Sequence, residues 1–251
     1  MAEKNKRLLH GLEQEIGFLS EIGADFIFAP EREKARLPGH QVAVEEPAAG
    51  KIPPVRMVGK ADEERQRVLH ALEEKILRCT LCPLSQGRTH AVPGEGDYFS
   101  PLMFVGEGPG ADEDIQGRPF VGRAGQLLTR IIAAMNYSRQ DVYITNVVKC
   151  RPPQNRTPVR DEIERCRPYL LAQIESISPR VIVSLGKVAT DFFRPSAVGM
   201  SNLRGRFFEY GETLVMPTFH PSYLIRNEGN KEIKRLVWQD MQQVMDVLSR
   251  K

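Results

Sequence analysis

The chain has 251 residues, 41% of them apolar, and a formal charge of +3 at neutral pH. That is enough for one large domain or two small ones around an ordinary core, and no apolar run approaches the roughly eighteen residues that a membrane span needs. So small a net charge leaves a nucleic-acid partner undecided, because only clustering of the basic residues could signal one. The first residues, MAEKNKRLLHGLEQE, hold no apolar stretch followed by a small-residue cleavage site, so a cytoplasmic protein is expected. In that setting four cysteines argue for metal or chance rather than a disulfide framework.

In chain order, Leu8, Leu9, Leu12, Ile16, Leu19 and Ile22 recur at helical spacing. They predict an amphipathic helix within residues 1–29 that packs on the main domain or on a protein partner. Residues 30–60 are rich in Pro, Ala, Gly and charge and read as a linker. A single domain is expected over 61–251. It opens with a helix near Asp62, carrying Val68, Leu69, Leu72, Ile76 and Leu77, that runs into Cys79.

Leu102 to Val105 predict a buried strand ending at Gly106. Gly106, Gly108 and Gly110 then let the backbone turn sharply and a ligand come close. Glu107, Asp112, Glu113 and Asp114 thread that turn, and Phe120 follows. Helices are expected at Gly125–Met135, Arg160–Ile177, Lys187–Phe193 and Lys231–Leu248. Strands are expected at Val142–Asn146 and Val181–Ser184, with a pair, Phe207–Tyr210 and Leu214–Pro217, around Gly211. The fold class implied is α/β: a central, mainly parallel four-stranded sheet flanked by helices, with an N-terminal helical extension. A glycine turn with acids and an aromatic at a strand's carboxyl end is where such sheets place active sites. Neither G-x-G-x-x-G nor G-x-x-x-x-G-K-[ST] occurs, so dinucleotide and nucleoside-triphosphate readings lose their support.

Cys79 and Cys82 form a C-x-x-C pair before Pro83, while Cys150 and Cys166 stand far apart. A zinc ribbon would show two tight pairs, whereas four thiolates can hold a [4Fe–4S] cluster at varied spacing. Iron–sulfur, zinc and unliganded cysteines stay open on spacing alone. Lys149, Arg151, Arg156, Arg160, Arg165 and Arg167 form a basic run suited to phosphate contacts, or in part a solvated helix start, the expected role of Arg165. Gly186 and Lys187 open a helix after a strand, where free amides suit a phosphate. His220, at a strand end beside Pro221 and Ser222, would share a cleft with Glu107.

GEGPG, GRPFVGRAGQLL, TNVVKCRPP, HPSYLIR and the four cysteines together resemble the iron–sulfur branch of uracil-DNA glycosylases, family four, over roughly Asp62 to Leu248. The resemblance implies excision of uracil from single- or double-stranded DNA and a [4Fe–4S] cluster on Cys79, Cys82, Cys150 and Cys166; a monomer is expected. It implies Phe120 stacking on the flipped base, Asn146 reading its edge, Gly108 beside it and Glu113 excluding the 5-methyl of thymine. His220 would bond the uracil carbonyl and Glu107 would position water or stabilise the sugar cation. Lys187, Ser222 and Arg226 would touch the DNA, and Leu224, or second Ile225, would wedge into the base stack. One departure stands out. The most studied branch of the superfamily has aspartate where this chain has Gly108, so Asp112 and Asp114 rival Glu107. Two other classes remain: a non-catalytic iron–sulfur accessory module of a replication or repair complex, and an electron carrier.

Overall fold

The computed structural model describes residues 60–250. The helix expected within 1–29 and the linker up to residue 59 lie outside the described residues. Helix α1 (Lys60–Leu77) and the short α2 (Leu84–Gly87) precede the sheet, whose strands are β1 (Glu95–Gly96), β2 (Leu102–Gly106), β3 (Tyr143–Asn146), β4 (Val181–Leu185), β5 (Phe208–Tyr210) and β6 (Thr213–Thr218). Between and after them run α3 (Ala111–Gln116), α4 (Arg123–Ala134), α5 (Arg160–Ile177), α6 (Lys187–Phe193), α7 (Met200–Leu203), α8 (Pro221–Arg226) and α9 (Lys231–Ser249).

The sheet order is β1-β3-β2-β4-β6-β5. The inner four strands are parallel, and β1 and β5 add antiparallel edges. The sheet thus has six strands where a four-stranded one was expected, with β5 being the strand expected at Phe207–Tyr210. The parallel core is as anticipated, and β1, two residues long, is too short to leave a periodic signal.

Side chains alternate across each strand, so each face of the sheet is covered by its own helices. Leu102, Phe104, Ile144, Val183 and Met216 face one layer, where Leu127, Leu128, Ile131 and Ile132 of α4 and Val237, Trp238, Met241 and Val244 of α9 meet them. Met103, Val105, Tyr143, Ile182 and Val215 face the other, under Leu69 of α1, Leu170, Ile174 and Ile177 of α5 and Phe192 of α6. Because β3 and β4 lie on opposite sides of β2, the chain crosses over between them and opens a crevice at the carboxyl ends. Among the described residues no helix is long and apolar enough to cross a membrane.

Candidate active site

All four parallel strands end at one cleft of about 790 Å³. Glu107 follows β2, Asn146 ends β3, Gly186 and Lys187 follow β4, and His220 follows β6. Gly106 pairs with Asn146 in register. Beyond the strands, Val147 and Val148 amides donate to the Gly106 and Glu107 carbonyls at 2.9 and 3.1 Å, fixing the two turns against each other.

Phe120 forms the cleft floor. Its ring lies 5.7 Å from that of His220, inclined by 32°, and its backbone takes φ +51°. A Cβ on Gly106 would strike both the Phe120 ring and Asn146 Oδ1, so only glycine lets ring and amide close over the end of β2. Asn146 is buried, and its Oδ1 has no hydrogen-bond partner among the described residues. A buried acceptor left unmet costs roughly 1–3 kcal/mol, so a donor brought to this oxygen would be favoured. Behind it the buried Lys149 ammonium donates to the Asn146 carbonyl, Thr145 Oγ1 and Gln173 Oε1 at 2.7, 2.6 and 2.7 Å. Burial pushes its pKa down to about 7.

His220 caps α8. The Ser222 amide donates to its Nδ1 at 3.1 Å, with the Ser222 hydroxyl at 2.8 Å, so the neutral ring carries its proton on Nε2. Burial, helped by the charge of Arg226, pushes the imidazole pKa down to about 4. Glu107 is half-buried, and burial raises its pKa against a smaller opposing effect of its bond with the Thr157 side chain.

The other acids separate by geometry. Glu113 accepts from the amides of Gly110, Val121 and Gly122 at 3.1, 2.8 and 2.9 Å, so it ties α3 to the turn below Phe120 and forms a fixed wall. Asp112 lines the cleft. Asp114 is buried, accepts from Thr89 and His90 amides, and is not among the lining residues, which removes it as a rival to Glu107. Gly108 lines the cleft against Val148.

Two DNA-side expectations change. Leu224 is only 3% exposed and packs in the core, so it cannot wedge into a base stack without leaving that core. Ile225, the second candidate, is partly buried against the same cluster, and Tyr223 is the residue of this helix whose ring reaches the cleft. At the start of α6 the Gly186 amide is not free for a phosphate, because it donates to the Thr218 carbonyl at 2.9 Å, and the Lys187 ammonium at the cleft is held by the Asp191 carboxylate and, at 2.5 Å, by the Ser196 carbonyl. Arg226 is exposed at the cleft, and Ser222 serves His220. Much of the basic run is internally paired: Arg156 with Glu162, Arg165 with Asp161 and Arg167 with Glu164.

The cysteines Cys79, Cys82, Cys150 and Cys166, distant in sequence, line one common small cavity between α1, α2, the loop after β3 and α5. Arg88 donates to Cys150 Sγ at 2.9 Å and the Lys149 amide to Cys166 Sγ at 3.3 Å. Ile76, Leu81, Ser85, Lys149, Arg165 and Tyr169 complete the lining. Such donors suit electron-rich sulfur. Among the described residues no group of three or more His, Cys, Asp and Glu is gathered as a site for a metal ion.

Thr157, Met200, Ser201 and Tyr223 also line the cleft. Tyr223 sat inside a motif already singled out. Thr157 carried no local signal, since the loop from Cys150 folds it back over Glu107.

An open parallel sheet with an aromatic floor, a buried amide and a neutral imidazole at its crevice agrees with one family of known proteins. The family model described as the uracil DNA glycosylase superfamily matches residues 93–242, and the chain belongs to that superfamily. A type-4 uracil-DNA glycosylase of Thermotoga maritima is 47% identical over 188 residues, which is 74% of this chain and 97% of the relative. One from Saccharolobus solfataricus is 44% identical over 192 residues, 73% and 88% of the two chains. Another, from Sulfurisphaera tokodaii, is 45% identical over 174 residues, 66% and 79%. It is to this type-4 branch that the chain is similar.

Proposed function

We propose that the protein is a DNA repair glycosylase that hydrolyses the N-glycosidic bond of uracil in DNA and leaves an abasic site. The observation that carries this reading is the unmet Asn146 Oδ1 beside Phe120 and a neutral His220 in one cleft. A target base must leave the stack, at a cost of a few kcal/mol. Phe120 offers a face on which the flipped base regains part of that stacking. Asn146 Oδ1 accepts the imide N–H of uracil, and its NH₂ is available to the 4-carbonyl. Glu113, held by three amides, walls the pocket against a 5-methyl group.

Bond cleavage sends the electron pair of the glycosidic bond onto uracil and leaves positive charge on the sugar. His220, neutral and with its proton on Nε2, donates a hydrogen bond to the carbonyl oxygen where that negative charge gathers. Glu107 holds the attacking water at the opposite side, stabilises the sugar cation and takes the water's proton. Arg226 faces the DNA backbone.

Cys79, Cys82, Cys150 and Cys166 would hold a [4Fe–4S] cluster, which when bound supplies a cross-link between α1 and the loop that carries Thr157. The test is an oligonucleotide with one uracil, treated with protein and then alkali. Cleavage at uracil and none at thymine or cytosine is expected. An intact strand with active-site side chains unaltered would leave the accessory-module reading in its place.

A further inference from the structure

We infer that Arg139, oriented by Glu95, is a positioning residue for base binding that acts by holding Phe120 in its stacking posture. This rests on the reading of Phe120 as the face that receives uracil. The posture needs an agent: φ of +51° is a conformation that bulky side chains rarely take. Arg139 lies in the loop between α4 and β3, away from every motif noted in the sequence. One of its terminal nitrogens donates to the Phe120 carbonyl at 3.0 Å and to Thr129 Oγ1 at 3.1 Å. The other donates to the Pro119 carbonyl at 2.7 Å. Both consecutive carbonyls of the turn are thus pinned by one planar group, which only a guanidinium can do from a single position.

Glu95, from the edge strand β1, fixes that guanidinium. Its carboxylate takes Arg139 Nε at 2.9 Å, and the pair is only 18% and 19% exposed. Gly125 at the start of α4 closes the arrangement from the other side, since a Cβ there would overlap the Phe120 carbonyl group. Released from Arg139, the 119–120 turn can relax toward negative φ and carry the ring off the cleft floor.

A stacking face serves bound base in the ground and transition states alike, so its loss is read in binding more than in turnover. Arg139→Ala should raise the inhibition constant of free uracil about tenfold while kcat on a uracil oligonucleotide changes by less than about threefold. Arg139→Lys keeps the charge beside Glu95 but not the paired carbonyl contacts. It should melt near the parent and still weaken uracil by about the same factor, which keeps the test open if the alanine variant folds poorly. In a Phe120→Ala background Arg139→Lys should add less than about twofold, because the two act through one ring. Additive effects, or a drop in melting temperature with the uracil constant unmoved, would overturn the inference. If Phe120→Ala alone leaves that constant unchanged, the stacking assignment itself is wrong, and the inference falls with it.

Discussion

At the scale of single residues, Asn146 and His220 make different demands. An asparagine amide held in one orientation matches uracil's imide and carbonyl, whereas cytosine would set donor against donor and acceptor against acceptor. Asn146→Asp should therefore lower uracil excision by about a hundredfold, near 3 kcal/mol in the barrier, a loss to be measured beside cytosine excision and melting temperature in the same samples. His220 links the site to stability. The native protein keeps its ring neutral until about pH 4, whereas an unfolded chain protonates it near the ordinary 6.5. The unfolded state then binds more protons in that window, so stability falls as pH is lowered from about 6.5 toward 4. Urea midpoints of the parent should fall more steeply across that window than those of His220→Gln. Motif residues mark the cleft's corners in the sequence, whereas the clamp behind Phe120 leaves no sequence signal because Glu95 and Arg139 meet only in three dimensions.

Elements tell a similar story about what sequence can carry. Helix α5 matches its expected bounds, Arg160–Ile177, because its apolar residues repeat over five turns. Helix α8, for which the sequence carries no helical expectation, is six residues long and leaves little periodicity. Its signals were chemical instead: proline at the first helical position and a histidine cap. Once the segment is helical, Pro221 and Leu224 share its buried face, three residues apart. Leu224→Ala should then cost about 2–5 kcal/mol of stability, as a truncated core leucine does. It should slow excision from single and double strands equally at a temperature where the variant stays folded. A loss confined to duplex DNA would restore the wedge.

For the whole molecule, the parallel core was legible because buried strands such as VIVSL are continuous apolar runs. The convergence of Cys79, Cys82, Cys150 and Cys166 on one cavity was not legible from spacing, since it depends on α1 packing against α5. The purified protein should be brown with about four irons per chain. Cys150→Ser should lose iron and weaken DNA binding together, because the loop it anchors carries Arg151, Arg156 and Thr157. Stoichiometric zinc in colourless protein prepared without air would exclude the cluster.

On the proposed role of Asn146, the protein would also act as a thermometer of its own product. Free uracil would offer an N–H to the unmet oxygen in the folded state and nothing comparable to an unfolded chain, so occupancy and heat resistance should rise together. At about a hundred times its dissociation constant, uracil should add about 2.7 kcal/mol to stability, an upward shift of several degrees in a melting scan. Thymine, with its extra methyl group, should leave the scan where it was. A molecule that lingers on damaged DNA would be held together, in the interval after cleavage, by the fragment it has just released.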